Sequence, residues 1–345
     1  MQALVLCAPG KMEIRDKPKP RIQHSKDVLL KVRAGGVCGS DIHYYRQGRI
    51  GGQVITYPFT IGHECTAEVI ETGPDAARVR PGDRVALDPA VSCGVCDQCL
   101  SGRPHTCRNL KFLGCPGQMD GCFQEFLVMP ENNCFVLPPG LDPVEAVLVE
   151  PLSIAGYAVR LWEKPRISGS AAILGSGPIG LCTLLALKDA GITKIFATDK
   201  IGDRLKTALT LGAELAVNVI DNNPLDSFLS REALGLDAVF ECCGDQSALD
   251  QALALLKPGG RLMIIGIPES DAIRFDPHVL RRKEIRIQNV RRQNNDIPWA
   301  VKQMGKPSFP AKTLVTHSFS LEEAKTAFEL AAGYKDGVVK AVIRL

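Results

Sequence analysis

Aromatic residues are scarce in this chain of 345 residues, at 6%, and so is net charge: 41 Lys and Arg stand against 38 Asp and Glu, a formal balance of +3. So even a balance gives no electrostatic footing for nucleic acid or anionic lipid, and a nucleic-acid binder built on a zinc lobe would need a basic, aromatic-rich surface. The expected partner is a small molecule. Membrane-length apolar runs are also missing. The uncharged stretch Ala171 to Leu187 is short for a span and is broken by Gly175-Ser176-Gly177-Pro178-Ile179-Gly180. No basic segment followed by an apolar core opens the chain, so a cytoplasmic rather than a secreted protein is expected. Internal repeats and low-complexity tracts are absent. Cysteine, by contrast, is plentiful and odd in number, at 13, which favours free thiols and metal ligation over a disulfide framework. The length exceeds one ordinary domain and implies two units sharing a cleft.

Two textures divide the chain. Up to about Pro151 it is turn-rich with short β-prone runs such as Val28–Val32 and Glu68–Thr72, and Arg80-Pro81-Gly82-Asp83 spells a turn before a strand. From about Ser153 the pattern becomes strand, glycine, amphipathic helix, repeated, which is the signature of a parallel α/β sheet. Strands are predicted at Ala171–Leu174, Lys194–Thr198, Ala216–Val219, Asp237–Glu241, Arg261–Ile267 and Glu284–Gln288, with helices near 180–190, 203–211 and 246–256. Six strands suit a doubly wound sheet. The tail leaves this rhythm: Ser320-Leu321-Glu322-Glu323 reads as a capping box before a helix, and Val338–Ile343 as a last strand expected to pack back on the first unit. The expected division is residues 1–152 with 291–345, and residues 153–290.

Within the second unit, Gly175, Gly177 and Gly180 form a GxGxxG between a predicted strand and a predicted helix, with Pro178 and Ile179 between the last two glycines. The first glycine permits the tight turn, the second lets backbone approach a pyrophosphate, and the third lets helix and strand pack closely. Asp199 ends the next strand, where its carboxylate can accept from an adenosine ribose and repel a 2′-phosphate, favouring NAD over NADP. Lys200 and Arg204 lie close by and soften that repulsion. The plainer alternative is a tight βα turn with no ligand.

Cys93, Cys96, Cys99 and Cys107, near 90–110, place four thiols in one short loop able to close a tetrahedral zinc shell, a structural site. Arg103, His105 and Arg108 stand ready to offset the excess negative charge. A redox CxxC pair or bystander cysteines account less well for four thiols at this spacing. A second set is dispersed: Cys38 in Gly36-Val37-Cys38-Gly39-Ser40-Asp41-Ile42-His43, His63-Glu64, and Glu150 before Pro151. Spacing alone establishes no site among them.

In order and spacing, these motifs together resemble the zinc-containing medium-chain dehydrogenases over nearly the whole chain, and within them the polyol branch, because Glu150 stands where alcohol dehydrogenases have a cysteine ligand. The resemblance implies a GroES-like mostly β catalytic domain, a Rossmann domain between its two segments, and an oxidoreductase moving hydride between a secondary alcohol and NAD. Such chemistry must first remove the hydroxyl proton. At the acidity of water, near 15.7, that costs roughly 12 kcal/mol at neutral pH, and zinc can bring a bound oxygen to about 7. The implied catalytic zinc ligands are Cys38, His63 and Glu64, with Glu150 bonding a water on the metal or exchanging with it. Charge counting agrees, since one thiolate and one carboxylate leave the ion formally neutral where a second bound carboxylate would weaken it. Ser40 and His43 are the implied proton relay, Tyr44 and Arg292 the substrate contacts. Cys65 is a rival ligand, expected instead to point the other way along a strand. About two zinc ions per chain and a homo-oligomer, dimer or tetramer, follow from the same resemblance. The expected substrate is a polyol, cyclitol or sugar. Arg291 and Gln293, where the branch often has aromatics, keep anionic substrates open: a sugar acid, a threonine-like amino acid or a phosphorylated polyol. A catalytically inactive zinc protein on the same fold is the alternative from another class.

Overall fold

The computed structural model describes residues 1–162 and 169–345, and divides the chain into two compact units, Met1–Glu150 with Ile297–Leu345, and Pro151–Asp296. Among the described residues no helix is long and apolar enough to cross a membrane.

The first unit is organised by a sheet ordered Cys134–Val136, Arg84–Leu87, Glu64–Thr72, Asp27–Gly36, Lys340–Arg344 and Val315–Phe319, with Phe126–Pro130 also paired to Asp27–Gly36. Burial at nearly every position of Asp27–Gly36 marks it as the central strand. Register matters here: Gly36 lies opposite Glu64 on one neighbour and opposite Val342 on the other, so three adjacent strands end together just before Cys38. One core cluster packs Leu4, Leu6, Tyr44, Tyr45, Phe123 and Phe328, and a second packs Val28, Leu30, Val32, Cys65 and Val69.

The second unit is a six-stranded parallel sheet in the order Leu215–Asn218, Lys194–Asp199, Ser170–Leu174, Leu236–Glu241, Leu256–Ile264, Arg286–Asn289. Numbered along the chain this order is 3-2-1-4-5-6, the doubly wound arrangement, whose switch point falls between the first and fourth strands. The helices Pro178–Asp189, Gly202–Leu211 and Gln246–Leu255 occupy the predicted places.

Boundaries differ from the sequence expectation where backbone chemistry intervenes. Glu284, predicted to start the last strand, instead takes a left-handed conformation at φ 51 as the C-cap of helix Pro277–Lys283, so the strand begins only at Arg286. The fifth strand ends at Ile264, not Ile267, because the amides of Ile265 and Gly266 turn to the carbonyl of Glu241. The capping box closes a tight turn, with Ser320 N donating to Glu323 Oε2 at 2.8 Å, and the helix proper runs Ala324–Gly333. Segment 291–296 belongs to the second unit because Arg160 clamps Asp296 at 2.6 and 3.1 Å and donates to the Asn294 carbonyl at 2.7 Å.

The C-terminal helix is secured by Phe328, fully buried between Tyr45 and Phe123 with ring centroids 5.4 and 5.7 Å away. Replacing it by alanine opens a cavity the surrounding rings cannot fill. Phe328→Ala is expected to lower stability by about 3–5 kcal/mol, read from denaturant unfolding of the first unit's transition; a loss below about 1 kcal/mol would mean the helix is held by other contacts.

Candidate active site

Cys38 caps the helix Gly39–Gln47, which continues directly from the central strand and ends at Gly48 in the left-handed conformation, φ 69. Gly62, at φ 102, turns the chain so that His63 and Glu64 open the neighbouring strand. These two elements bring the three residues together: one ligand atom each from Cys38, His63 and Glu64 lies within 4.8 Å of the others, His63 and Glu64 being buried. Cys65 faces away, into the apolar core.

The helix contributes a further residue, Asp41, to which the sequence alone assigns no role. Asp41 is fully buried; its Oδ2 accepts from Cys38 N at 3.0 Å, and its Oδ1, which has no hydrogen bond among the described residues, lies 3.6 Å from His63 Nδ1. Burial alone would disfavour a charged imidazole, but the charges of Asp41 and Cys38 outweigh it and hold His63 well above its ordinary pKa. A carboxylate on Nδ1 fixes the tautomer that presents Nε2 to a cation. The donor set, one thiol, one imidazole and one carboxyl, is zinc chemistry, and the buried Asp41 oxygen short of a donor fits a histidine held as a ligand.

Glu150, the second residue of helix Val149–Leu161, is buried outside the three-residue cluster but within its electrostatic reach. Burial pushes its carboxyl up to about 7, with Glu64 adding to the rise and His63 and Lys340 opposing it. Lys340, unmarked in the sequence, is buried against the same group: its Nζ is 2.5 Å from Glu64 Oε2. Ser40 and His43 stand on the helix that Cys38 caps, both half-buried. Tyr44, expected at the substrate, is 5% exposed in the core, its hydroxyl donating to Gln53 Oε1 at 3.4 Å.

The four-cysteine lobe is compact. Sγ atoms of Cys96 and Cys99 are 3.6 Å apart, Cys96 and Cys107 3.8 Å, Cys93 and Cys107 3.4 Å. Zn–S bonds of about 2.3 Å in a tetrahedron give S···S edges of about 3.8 Å, so the lobe is spaced for zinc and too wide for disulfides. Amides of Cys93 and Asn109 each donate to Cys107 Sγ at 3.3 Å. Amide donors from Arg108 and Cys99 lower Cys96 to about 6, while burial and its thiol neighbours push Cys99 up to about 11. Backbone amides are donors to these sulfurs, while the Arg108 guanidinium grips Asp97 at 2.5 and 2.9 Å and its charge also acts on Cys96.

In the second unit, Gly175 sits at φ 99 at the strand end, and a side chain there would strike Cys243. Gly177 caps helix Pro178–Asp189, followed by Pro178, Ile179 and Gly180; a Cβ at Gly180 would collide with the Gly175 carbonyl, so the helix start rests directly on the loop. Asp199 Oδ2 accepts from Ser176 N at 2.8 Å and Oδ1 from Ile201 N at 2.9 Å, and the buried Arg204 brings a guanidinium nitrogen to 3.5 Å from the Cβ position of Gly177. Arg292 holds φ 53, a conformation rare for a side chain of its size.

A GroES-like metal unit combined with a Rossmann unit defines a dehydrogenase. Residues 24–139 match the alcohol dehydrogenase GroES-like domain and residues 178–306 the zinc-binding dehydrogenase family. The chain is similar to sorbitol dehydrogenase of Bacillus subtilis strain 168, 35% identical over 99% of this chain and 97% of the relative, and to L-idonate 5-dehydrogenase of Vitis vinifera, 33% identical over 89% and 85%. Two solved structures resemble it closely. A putative zinc-binding dehydrogenase of Sinorhizobium meliloti 1021 bound to NADP has TM-score 0.90 at 29% identity, covering 100% of this chain and 99% of its own. An alcohol dehydrogenase of Escherichia coli CFT073 complexed with NADH has TM-score 0.89 at 28% identity, with the same coverage. The chain belongs to the zinc-binding medium-chain dehydrogenases and, within them, to the polyol dehydrogenases: it is an oxidoreductase acting on CH–OH groups, with zinc and a nicotinamide dinucleotide as its cofactors.

Asp41→Asn keeps the shape of the side chain but removes the charge opposite His63. Zinc affinity of the first unit is expected to fall roughly 10–100-fold while the fold is retained, measured by chelator competition; unchanged affinity would sever Asp41 from the metal.

Proposed function

We propose that this chain oxidises a secondary alcohol of a polyol or sugar-like substrate, passing hydride to NAD. The observation that carries this reading is the cluster of half-buried Cys38 with buried His63 and Glu64, with Glu150 in its field and with a separate, fully thiol lobe elsewhere in the unit. Cys38, His63 and Glu64 hold the catalytic zinc, and Cys93, Cys96, Cys99 and Cys107 the structural one. Bound there, zinc supplies the Lewis acidity that makes a hydroxyl a far stronger acid, and NAD supplies the hydride acceptor.

The protein's own residues do the rest. Asp41 orients His63. Glu150, whose carboxyl is pushed up by burial, is placed to take up or release a proton beside the centre. Ser40 and His43 carry the hydroxyl proton away along the helix capped by Cys38. Gly175, Gly177, Pro178, Ile179 and Gly180 cradle the dinucleotide pyrophosphate at the start of their helix, Asp199 accepts from the ribose, and Arg204 lies along the same loop. Both Asp199 oxygens already accept from amides, which fixes the carboxylate facing the ribose and keeps its charge where a 2′-phosphate would fall. One solved relative holds NADP and another NADH, so the presence of a 2′-phosphate varies among proteins of this fold.

Arg292, with its left-handed backbone, is read as a substrate contact, and the sugar-acid name of one relative favours a second reading in which Arg292 pairs with a substrate carboxylate. Sorbitol, the substrate named for the other relative, favours the neutral polyol. A homo-oligomer in the cytoplasm is the setting proposed with either.

A panel of neutral polyols, sugar acids and phosphorylated polyols, followed by NADH absorbance, tests the substrate class. Activity confined to the neutral members would remove the role of Arg292, and no activity with any would remove the polyol reading. Cys38→Ala is expected to lower kcat by on the order of 10³-fold or more while NADH still binds, because several kcal/mol of Lewis-acid stabilisation is lost. Asp199→Ser is expected to raise the NADP-to-NAD ratio of kcat/KM by about tenfold or more; a constant ratio would show that Asp199 does not select the cofactor.

A further inference from the structure

The reading of Cys38, His63 and Glu64 as ligands leaves one buried charge unused. Lys340 belongs to a residue type that is almost never fully buried unless paired, yet its side chain is 1% exposed. Its Nζ donates to Glu64 Oε2 at 2.5 Å and to the carbonyl of Val37, the residue before Cys38, at 3.2 Å. The fold puts it there deliberately: Gly36 lies between Glu64 and Val342 in the register of three adjacent strands, and a Cβ on Gly36 would occupy the space of the Glu64 carboxylate. The charge of Lys340 also reaches Glu150.

We propose that Lys340 is a positioning residue and built-in counter-ion of the metal centre, sharing the Glu64 carboxylate with zinc so that lysine and metal compete for it. The proposal rests on the metal reading given above. Glu64 is 1% exposed, so without a cation its carboxylate would be buried and uncompensated. Lys340 supplies that cation when the metal is absent. With zinc held by a thiolate and a carboxylate the ion is formally neutralised, and the ammonium of Lys340 offsets the further negative charge of the buried Asp41, so that the centre as a whole is not left anionic towards an incoming hydroxyl oxygen. Competition means that Lys340 stabilises the metal-free fold and weakens the grip on zinc. A residue that only packed its strand would stabilise both forms equally.

The test uses the full chain with Lys340→Met, Lys340→Arg and Glu64→Gln, measuring zinc affinity by chelator competition and melting temperature with the first unit's exchangeable zinc removed and restored. Lys340→Met is expected to bind that zinc roughly tenfold more tightly and to show a larger zinc-dependent rise in melting temperature, while Lys340→Arg behaves as the parent. In a Glu64→Gln background, Lys340→Met is expected to alter zinc affinity less than about twofold. Equal or weaker zinc binding by Lys340→Met, or equal losses of melting temperature with and without zinc, would overturn the proposal. Should Lys340→Met fail to fold without metal, recovery by added zinc or by Glu64→Gln supports it, and recovery by neither overturns it. A parent chain holding a single zinc would bring down the metal reading itself, whereas two zinc ions with no coupling to Lys340 would sink this inference alone.

Discussion

Buried negative charge is the constraint on which the first unit turns. Asp41, Glu64 and Glu150 are all withdrawn from water around Cys38 and His63, in a region where carboxylates repel one another and cannot be hydrated. Each is given a different remedy. Asp41 takes the Cys38 amide and faces the imidazole; Glu64 takes a lysine; Glu150 is driven towards its protonated form. Three acids in one pocket thus sit in three electrostatic states, which is how a single site can bind a cation, orient a ligand and exchange a proton.

The backbone makes this possible by ending three neighbouring strands at the same level. Glycine at position 36, opposite Glu64, leaves room for its carboxylate where a side chain would otherwise stand, and the helix that follows Cys38 immediately supplies Asp41. The position of Lys340 near the far end of the chain shows why the unit is assembled from two segments. The strand that completes the sheet also delivers the cation that the pocket needs.

Legibility in the sequence followed the range of the interactions involved. The four lobe cysteines lie within fifteen positions and the glycine loop within six, so local spacing was enough to propose them. The six parallel strands were legible because each is an apolar run between breakers, and their misplaced ends trace to single backbone events, such as the left-handed Glu284. The overlooked helices include Val149–Leu161 and Ile297–Met304, as well as Pro224–Leu229 and Pro277–Lys283, whose Asn223-Pro224 and Asp276-Pro277 pairs are N-cap signals. Lys340 and Asp41 were invisible for another reason. A lysine in a terminal strand and an aspartate in a first helical turn are ordinary locally, and only burial gives them a role, for Lys340 against a partner 276 positions away. The grouping of Cys38, His63 and Glu150 came from resemblance, since no spacing rule places residue 150 beside residue 63.

The contrast between the two thiol-bearing centres bears on why one unit needs both. In the lobe every candidate ligand is sulfur and backbone amides aim at those sulfurs, so the shell is closed and electron-rich, suited to holding a loop in shape. At the other centre sulfur is limited to Cys38, oxygen replaces it at Glu64, and the surrounding charges are tuned by burial, by a lysine and by the Cys38 amide on Asp41. Hard oxygen donors and a nearby positive charge leave a metal ion more electrophilic than four thiolates do, so the same element would be inert in one place and acidic in the other. The difference lies in what each ion is allowed to share its ligands with. In the lobe that is nothing beyond the shell, and at Glu64 it is a competing ammonium.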